Sequence, residues 1–409
     1  MLNKKYSILV PTYNKLEYLK FTIKSILSTN FQNFELIISN DHSTDDTDIY
    51  LSNLQDHRVK IIKPPIKLTQ TKNYEYMLNF ASGEWITIIG DDDGVTPNFF
   101  STLEYLTNKY PEIKILKFKR AIYYWEGVSD LYGDRVVYYE NLKKKERIKN
   151  SKVQLILSIL NINSAQDLPM IYTSGFVKSE LIANVKKKSN NFFFHSLVPD
   201  YYSMIALCLE CKKYLFSETP IFWIGVSKKS AGRKRNIYFN KNKHYSKVQK
   251  NIEINENLEL SGKVSKILHK IGIPSIYLFE GLLKHPYKKK IWVNKIIRTF
   301  VYSATILSFI KLINMPFRMK VNIKNKLFCK IIFKDMKTYN LNFMLLLCFT
   351  LLLALVTSLS KIFRRFLNFF EKKLRNLISS NKPLIIVSKN REKFKNLKKV
   401  NELILKLND

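Results

Sequence analysis

Apolar and polar positions alternate in blocks through the first ninety residues. YSILV (6–10) is a short apolar run closed by Pro11 and reads as a buried strand. KLEYLKFTIKSILST (15–29) places Leu16, Leu19, Ile23, Ile26 and Leu27 on one helical face. FELIISND (34–41) predicts a second strand, and STDDT (43–47) supplies capping residues for a helix over 48–55. VKIIK (59–63) predicts a third strand, 70–82 a helix closed by Gly83, and WITIIG (85–90) a fourth strand. Short strands alternating with helices in this way are the pattern of a parallel α/β sheet.

Ligands of such sheets sit beyond the carboxyl ends of the strands. Three polar clusters fall at those ends: PTYN (11–14), SNDHS (39–43) and GDDD (90–93). Three adjacent carboxylates repel one another unless a cation or solvent compensates them. No Gly-x-Gly-x-x-Gly follows the first strand and no Gly-Lys-Ser/Thr loop occurs, which leaves a dinucleotide site and a Gly-rich phosphate loop unsupported.

Further along, 113–140 holds strand-like segments, 151–162 and 200–215 read as helices, and 217–226 as a strand. From about 245 the pattern becomes helical and lysine-punctuated. FVYSATILSFI (300–310) is too short to span a bilayer. FMLLLCFTLLLALVTSL (343–359) is at the lower limit for a span, and a basic segment rich in Phe and Leu follows it.

Charge sharpens this division. The whole chain of 409 residues carries 68 Lys/Arg against 33 Asp/Glu. Residues 1–100 hold 10 against 12, whereas 261–409 holds 31 against 6. The near-neutral front reads as the binding and catalytic part, and the basic rear as a surface that meets anions such as phospholipid headgroups. A topology with the front in the cytoplasm and basic residues after 360 also on that side favours an in-plane or re-entrant segment. No secretory leader is expected, because the first apolar run is short and ends in Pro-Thr-Tyr-Asn. Cys208 and Cys211 form a CxxC within an apolar helical pattern, without a second pair for zinc, and are expected to be buried thiols.

The ordered series PTYN, SNDHSTDDT, TKN and ASGEWITIIGDDDGVTP resembles the inverting glycosyltransferases of family 2 over about residues 5–100, with a looser likeness over 101–240. The resemblance implies a GT-A-type fold, a mostly parallel central sheet flanked by helices, in a catalytic domain over 1–240. Its nucleotide-binding half is about 1–100 and its acceptor half about 101–240. A basic, mainly helical region over 241–409 would follow, with a membrane-associating segment at about 343–359.

The implied activity is transfer of a sugar from a nucleoside-diphosphate sugar, of the UDP-sugar type, to a hydroxyl of a cell-surface glycan or lipid-linked acceptor. The implied cofactor is Mn²⁺ or Mg²⁺, held through a DxD-type motif. Asp92 would be the direct metal ligand, with Asp93 beside it in the metal cluster, and Asp91 would face the ribose or diphosphate. Gly90 stands where the family more often has an acid. Thr12 and Asn14 would line the nucleoside pocket, Asp41 would accept a uracil N–H, and Lys72 replaces the usual arginine near the phosphates. Asp200, opening a helical run after Pro199, would be the base that takes the acceptor proton, with His195 as the alternative. In GVSKKSAGRKR (225–235), Ser227, Ser230 and Arg233 would belong to a loop closing over the diphosphate. The expected location is the cytoplasmic face of a membrane.

Competing readings are a sugar-1-phosphate nucleotidyltransferase, a basic nucleic-acid-binding or membrane-binding protein, and a non-catalytic glycan-binding relative. PTYNKLEY lacks the Gly and Arg of a nucleotidyltransferase loop, and the basic residues avoid the α/β front, so no nucleic-acid partner is expected. The retained carboxylates argue for catalysis.

Overall fold

The computed structural model describes residues 4–125, 138–139, 146–159, 162–196 and 198–230, with short pieces at 277–278, 281–282, 285, 303, 350–351 and 385–386. The front half alternates as expected: β1 (Tyr6–Thr12), α1 (Leu16–Leu27), β2 (Phe34–Asn40), α2 (Thr47–Ser52), β3 (Val59–Ile62), α3 (Gln70–Leu78) and β4 (Trp85–Ile88). Next come β5 (Gly94–Val95), α4 (Phe99–Lys109), β6 (Ile115–Phe118), β7 (Ala121–Tyr124) and β8 (Tyr138–Tyr139). β9 (Glu146–Asn150), α5 (Ser151–Ile159), β10 (Gly175–Lys178), α6 (Ser179–Lys188), α7 (Pro199–Glu210), β11 (Lys213–Ser217) and β12 (Phe222–Val226) complete it.

Eight strands form one sheet in the order β3-β2-β1-β4-β10-β6-β11-β9. Only β10 and β9 run against the others, so the sheet is mostly parallel. The chain steps outward from β1 to β3 and returns on the other side of β1 as β4. That reversal opens a crevice between the ends of β1 and β4, the usual ligand position in such sheets.

The period-2 geometry of the strands divides the core into two layers. Tyr6, Ile8 and Val10 of β1 pack with Leu19, Ile23 and Ile26 of α1 and Phe99 and Leu103 of α4. Leu9 faces the other way, with Ile37 and Ile88, against Tyr74 and Met77 of α3, Leu181 of α6 and Tyr202 of α7. Burial on both sheet faces explains why these strands read as continuous apolar runs rather than alternating ones. Each fully buried side chain of this kind contributes about 1.5–3 kcal/mol.

Several boundaries differ from the sequence expectation. β1 continues through Pro11 to Thr12, whose carbonyl accepts from Asp41 N at 3.0 Å and keeps the pairing with β2. α3 stops at Leu78 with Asn79 as its C-cap, short of Gly83. The expected helix over 200–215 is α7 followed by a strand: Cys211 turns extended, and Tyr214, Leu215 and Phe216 enter β11. The expected strand over 217–226 is the end of β11, a turn and β12. Cys208 and Cys211 are buried free thiols, both pushed upward in pKa by burial. Among the described residues no helix is long and apolar enough to cross a membrane. The segments 300–310 and 343–359 lie outside the described residues, apart from short pieces, as does the helical pattern expected beyond 245.

A second sheet, β5-β12-β7, lies beside the ends of β1 and β4. It brings residues more than a hundred positions downstream against the acidic turn.

Candidate active site

The acidic turn Asp91–Asp93 leaves β4 at the crevice, and all three residues are buried. A buried carboxylate is tolerated only when it is paired or hydrogen-bonded, and each finds different partners. Asp91 accepts from Thr12 Oγ1 at 3.0 Å and from Lys15 Nζ at 2.6 Å. Asp92 Oδ2 accepts from Ser227 Oγ and Ser230 Oγ, each at 2.5 Å, and its Oδ1 lies 3.6 Å from Lys15 Nζ. Asp93 Oδ2 accepts from Gly90 N at 2.8 Å and Thr173 Oγ1 at 2.6 Å, and its Oδ1 accepts from Gly225 N at 2.8 Å.

This pattern separates the three acids. Asp93 faces protein donors on both oxygens and holds the turn in shape. Asp91 likewise accepts on both oxygens, from Thr12 and Lys15, so Asp92 Oδ1, with Lys15 Nζ at 3.6 Å, is the carboxylate oxygen of the turn to which no donor is hydrogen-bonded among the described residues. Burial, then the neighbouring Asp92 charge, push the Asp93 carboxyl up to about 7. Lys15 is the resident counter-charge. Burial alone would lower its pKa, but Asp91 and Asp92 outweigh that and hold it above the ordinary lysine value.

Gly90, where the family resemblance leads one to expect an acid, is packed tightly. A Cβ there would lie 2.8 Å from both Asp93 Oδ2 and the Tyr172 hydroxyl. A side chain at this position would have to displace the ends of both. Gly225 is more constrained still, since a Cβ would come 1.6 Å from the Asp92 carbonyl oxygen. Gly225→Ala is therefore expected to cost about 2–3 kcal/mol and to loosen the acidic turn. A thermal melt checks the first effect, and an unchanged melting temperature would refute it.

The other expected residues divide clearly. Asp41, at the end of β2, accepts from Leu68 N at 2.8 Å, while the N-cap of α2 is Asp46. Asn14 adopts a left-handed backbone (φ 54°) and its Oδ1 accepts from Thr44 N at 2.6 Å, joining the loops after β1 and β2. Thr12 is turned onto Asp91. Lys72 is exposed on α3 and makes no ion pair among the described residues. Ser227 and Ser230 both reach Asp92, whereas Arg233 lies outside the described residues.

Asp200 sits in the first turn of α7 behind Pro199, where a carboxylate is favoured by the helix dipole. Its charge acts on Tyr74, Tyr172 and Arg120, groups that also feel Asp93. Tyr74 and Tyr172 stack with centroids 5.6 Å apart between the two carboxylates' surroundings. His195, the alternative base, lies on the loop just before α7. Its Nε2 faces the carbonyls of Ser189 and Phe192 at 3.0 and 3.1 Å, closing the turn that carries left-handed Asn190 and Asn191.

Sequence reading missed Lys15, Thr22, Thr173, Gly225 and Trp125. Thr22 Oγ1 donates to the backbone oxygens of Asp91 and Asp93, and Trp125 Nε1 donates to that of Asp92 at 2.8 Å. Lys15 had a signal, being the cation immediately after PTYN. The others lie in apolar surroundings with nothing local to mark them.

Residues 7–156 match the family model described as Glycosyl transferase family 2. This chain carries a family 2 glycosyltransferase domain. The domain is similar to GalNAc(5)-diNAcBac-PP-undecaprenol beta-1,3-glucosyltransferase of Campylobacter jejuni, 38% identical over 145 residues, covering 35% of this chain and 41% of that enzyme. It is also similar to the Escherichia coli UDP-Glc:alpha-D-GlcNAc-diphosphoundecaprenol beta-1,3-glucosyltransferase WfgD, 29% identical over 87 residues, covering 21% of this chain and 34% of that enzyme. The glycosyltransferase match thus spans less than half the length of either relative. Among solved structures, S. aureus TarS 1–349 in complex with UDP-GlcNAc aligns over 83% of this chain and 93% of that chain, with a TM-score of 0.42 and 13% identity.

Proposed function

We propose that this chain transfers a sugar, with inversion, from a nucleoside-diphosphate sugar to a hydroxyl of a lipid-linked acceptor at the cytoplasmic face of a membrane. The observation that carries the reading is the convergence at one crevice of Asp91, Asp92 and Lys15, with Asp200 on α7 acting electrostatically on the same neighbouring groups. Two relatives whose names specify undecaprenol-diphosphate-linked acceptors support the acceptor class.

The chemistry follows from the residues. Departure of a nucleoside diphosphate develops negative charge, which must be met in a site shielded from water. Asp91 and Asp92 fit a hard divalent cation such as Mg²⁺ or Mn²⁺, since such ions take one or two carboxylates and complete their shell with substrate phosphates and water. The all-oxygen donor set agrees, and no group of three or more acidic, His or Cys ligands occurs among the described residues to form an all-protein cage. When bound, the metal would neutralise the leaving diphosphate. Lys15 adds a second positive charge at the same carboxylates. Asp41 and Asn14, on the loops after β2 and β1, are assigned to the nucleoside. Asp200 takes the proton from the attacking hydroxyl on the opposite face of the sugar, which direct displacement with inversion requires. Ser227 and Ser230 tie the loop after β12 to Asp92, and Arg233 would continue that loop over the diphosphate. The basic rear, including 343–359, would hold the enzyme at anionic lipid.

Calorimetric titration with UDP tests the reading. Binding is expected to tighten when Mg²⁺ or Mn²⁺ is added. A protein that binds neither UDP nor any nucleotide-sugar with metal present would end the proposal.

A further inference from the structure

One cation at the sheet edge is not used by the scheme above. Arg120 follows β6, which runs parallel to β4, so it lies at the same carboxyl edge as the acidic turn. It is partly buried. Its Nε donates to Ser174 Oγ at 3.4 Å and its Nη2 meets Met170 Sδ at 3.0 Å. Lys117, fully buried on β6, sends its Nζ to the same hydroxyl at 2.5 Å. Two basic side chains thus share one serine, and among the described residues neither has a carboxylate within ion-pair distance. Burial, then the Arg120 charge, push Lys117 toward the neutral amine, which leaves Arg120 as the cation of the pair. Such an arrangement is unusual, because buried charges are normally paired. A guanidinium offers five N–H donors in a planar fork, so most of Arg120's capacity is unspent on these two weak acceptors.

The loop that presents Ser174 is built closely. Ser174 has φ 92°, a left-handed value seldom taken by a non-glycine residue, and a Cβ on Gly175 would come 1.8 Å from the Met170 carbonyl oxygen. The groups acting electrostatically on Arg120 are Asp200, Tyr201, Asp93 and Tyr172. Arg120 therefore lies within electrostatic reach of both the acidic turn and the proposed base.

We propose that Arg120, supported by Lys117 and Ser174, binds an oxyanion of the acceptor close to the hydroxyl that receives the sugar. This inference rests on the glycosyl-transfer reading. The donor diphosphate is an unsuitable occupant, because Asp91, Asp92 and Lys15 define its place at the end of β4. In the order β4-β10-β6, Arg120's strand lies two spacings away, about 10 Å. An acceptor whose hydroxyl reaches Asp200 would bring a group one ring further along to Arg120. An anomeric diphosphate and the carboxylate of an acidic sugar share the required chemistry.

The test uses the full chain saturated with UDP and Mg²⁺, titrated with inorganic phosphate and followed by phosphorus NMR line widths. Wild type is expected to bind phosphate with a Kd on the order of millimolar. Arg120→Gln should weaken it about tenfold or more, and Arg120→Lys by less. UDP affinity should stay within about twofold in both variants, which also shows that they fold. Competition then separates the sources: N-acetylglucosamine 1-phosphate displacing phosphate better than glucuronate assigns a diphosphate acceptor, and the reverse assigns an acidic sugar. Absence of phosphate binding in wild type, equal binding in Arg120→Gln, or a parallel loss of UDP affinity would each overturn the proposal. Failure of wild type to bind UDP would instead sink the glycosyl-transfer reading. The phosphate comparison between free wild type and Arg120→Gln would still decide this one.

Discussion

Replacing Asp92 with alanine is expected to lower metal-dependent hydrolysis of a UDP-sugar about a hundredfold or more. Two losses combine in that change. The crevice keeps only Asp91 to offer a cation, and Ser227 and Ser230 lose the carboxylate oxygen on which both converge. The Ser227→Ala, Ser230→Ala double variant separates them, since it releases the loop but preserves the acid. That variant should retain metal-enhanced UDP binding, measured by calorimetry, while Asp92→Ala should lose it. Hydrolysis by Asp92→Ala within a few-fold of wild type would remove Asp92 from the proposed chemistry.

A different signature is expected for Asp200→Asn. General-base catalysis contributes about 10²–10⁴ in rate, so transfer should fall by that factor while UDP affinity stays within about twofold. The substitution preserves size and hydrogen-bonding ability at the first turn of α7. It removes the charge that acts on Arg120, Tyr74 and Tyr172. Transfer at the wild-type rate would show that another group takes the proton. His195, whose Nε2 faces two backbone carbonyls, is the alternative that a His195→Gln variant would then test.

The sheet and its crevice were largely legible in the sequence because β1, β2 and β4 are buried on both faces and end in polar clusters. Tyr6–Thr12, Phe34–Asn40 and Trp85–Ile88 announce themselves as mainly apolar runs. Asp91–Asp93 could be recognised for the same reason, since a carboxylate cluster after a buried strand requires an explanation. Which of the three faces the crevice could not be read locally. That depends on Thr173, Gly225, Ser227 and Ser230, which come from loops and a strand far along the chain. Gly90 shows the opposite difficulty. It looked like a missing acid, but the Tyr172 hydroxyl and Asp93 occupy the space a side chain would need. The boundary of α7 was missed because Tyr214 and Phe216 suit a helical stripe and a strand face equally well.

The fastening of the acidic turn to β12 has a consequence for how the protein is made. Asp93 bonds to Gly225 across 132 positions, and Asp92 to Ser227 and Ser230 across 135 and 138. Contacts of such large sequence separation form late, after the intervening chain has closed its loops. A nascent polypeptide emerging from the ribosome can assemble β1 to β4 early, yet its three carboxylates lack their full set of donors until residue 230 has been released. A fragment ending where the family match ends, at residue 156, would keep the motifs but lack Thr173, Gly225, Ser227 and Ser230, the donors that orient Asp92 and Asp93.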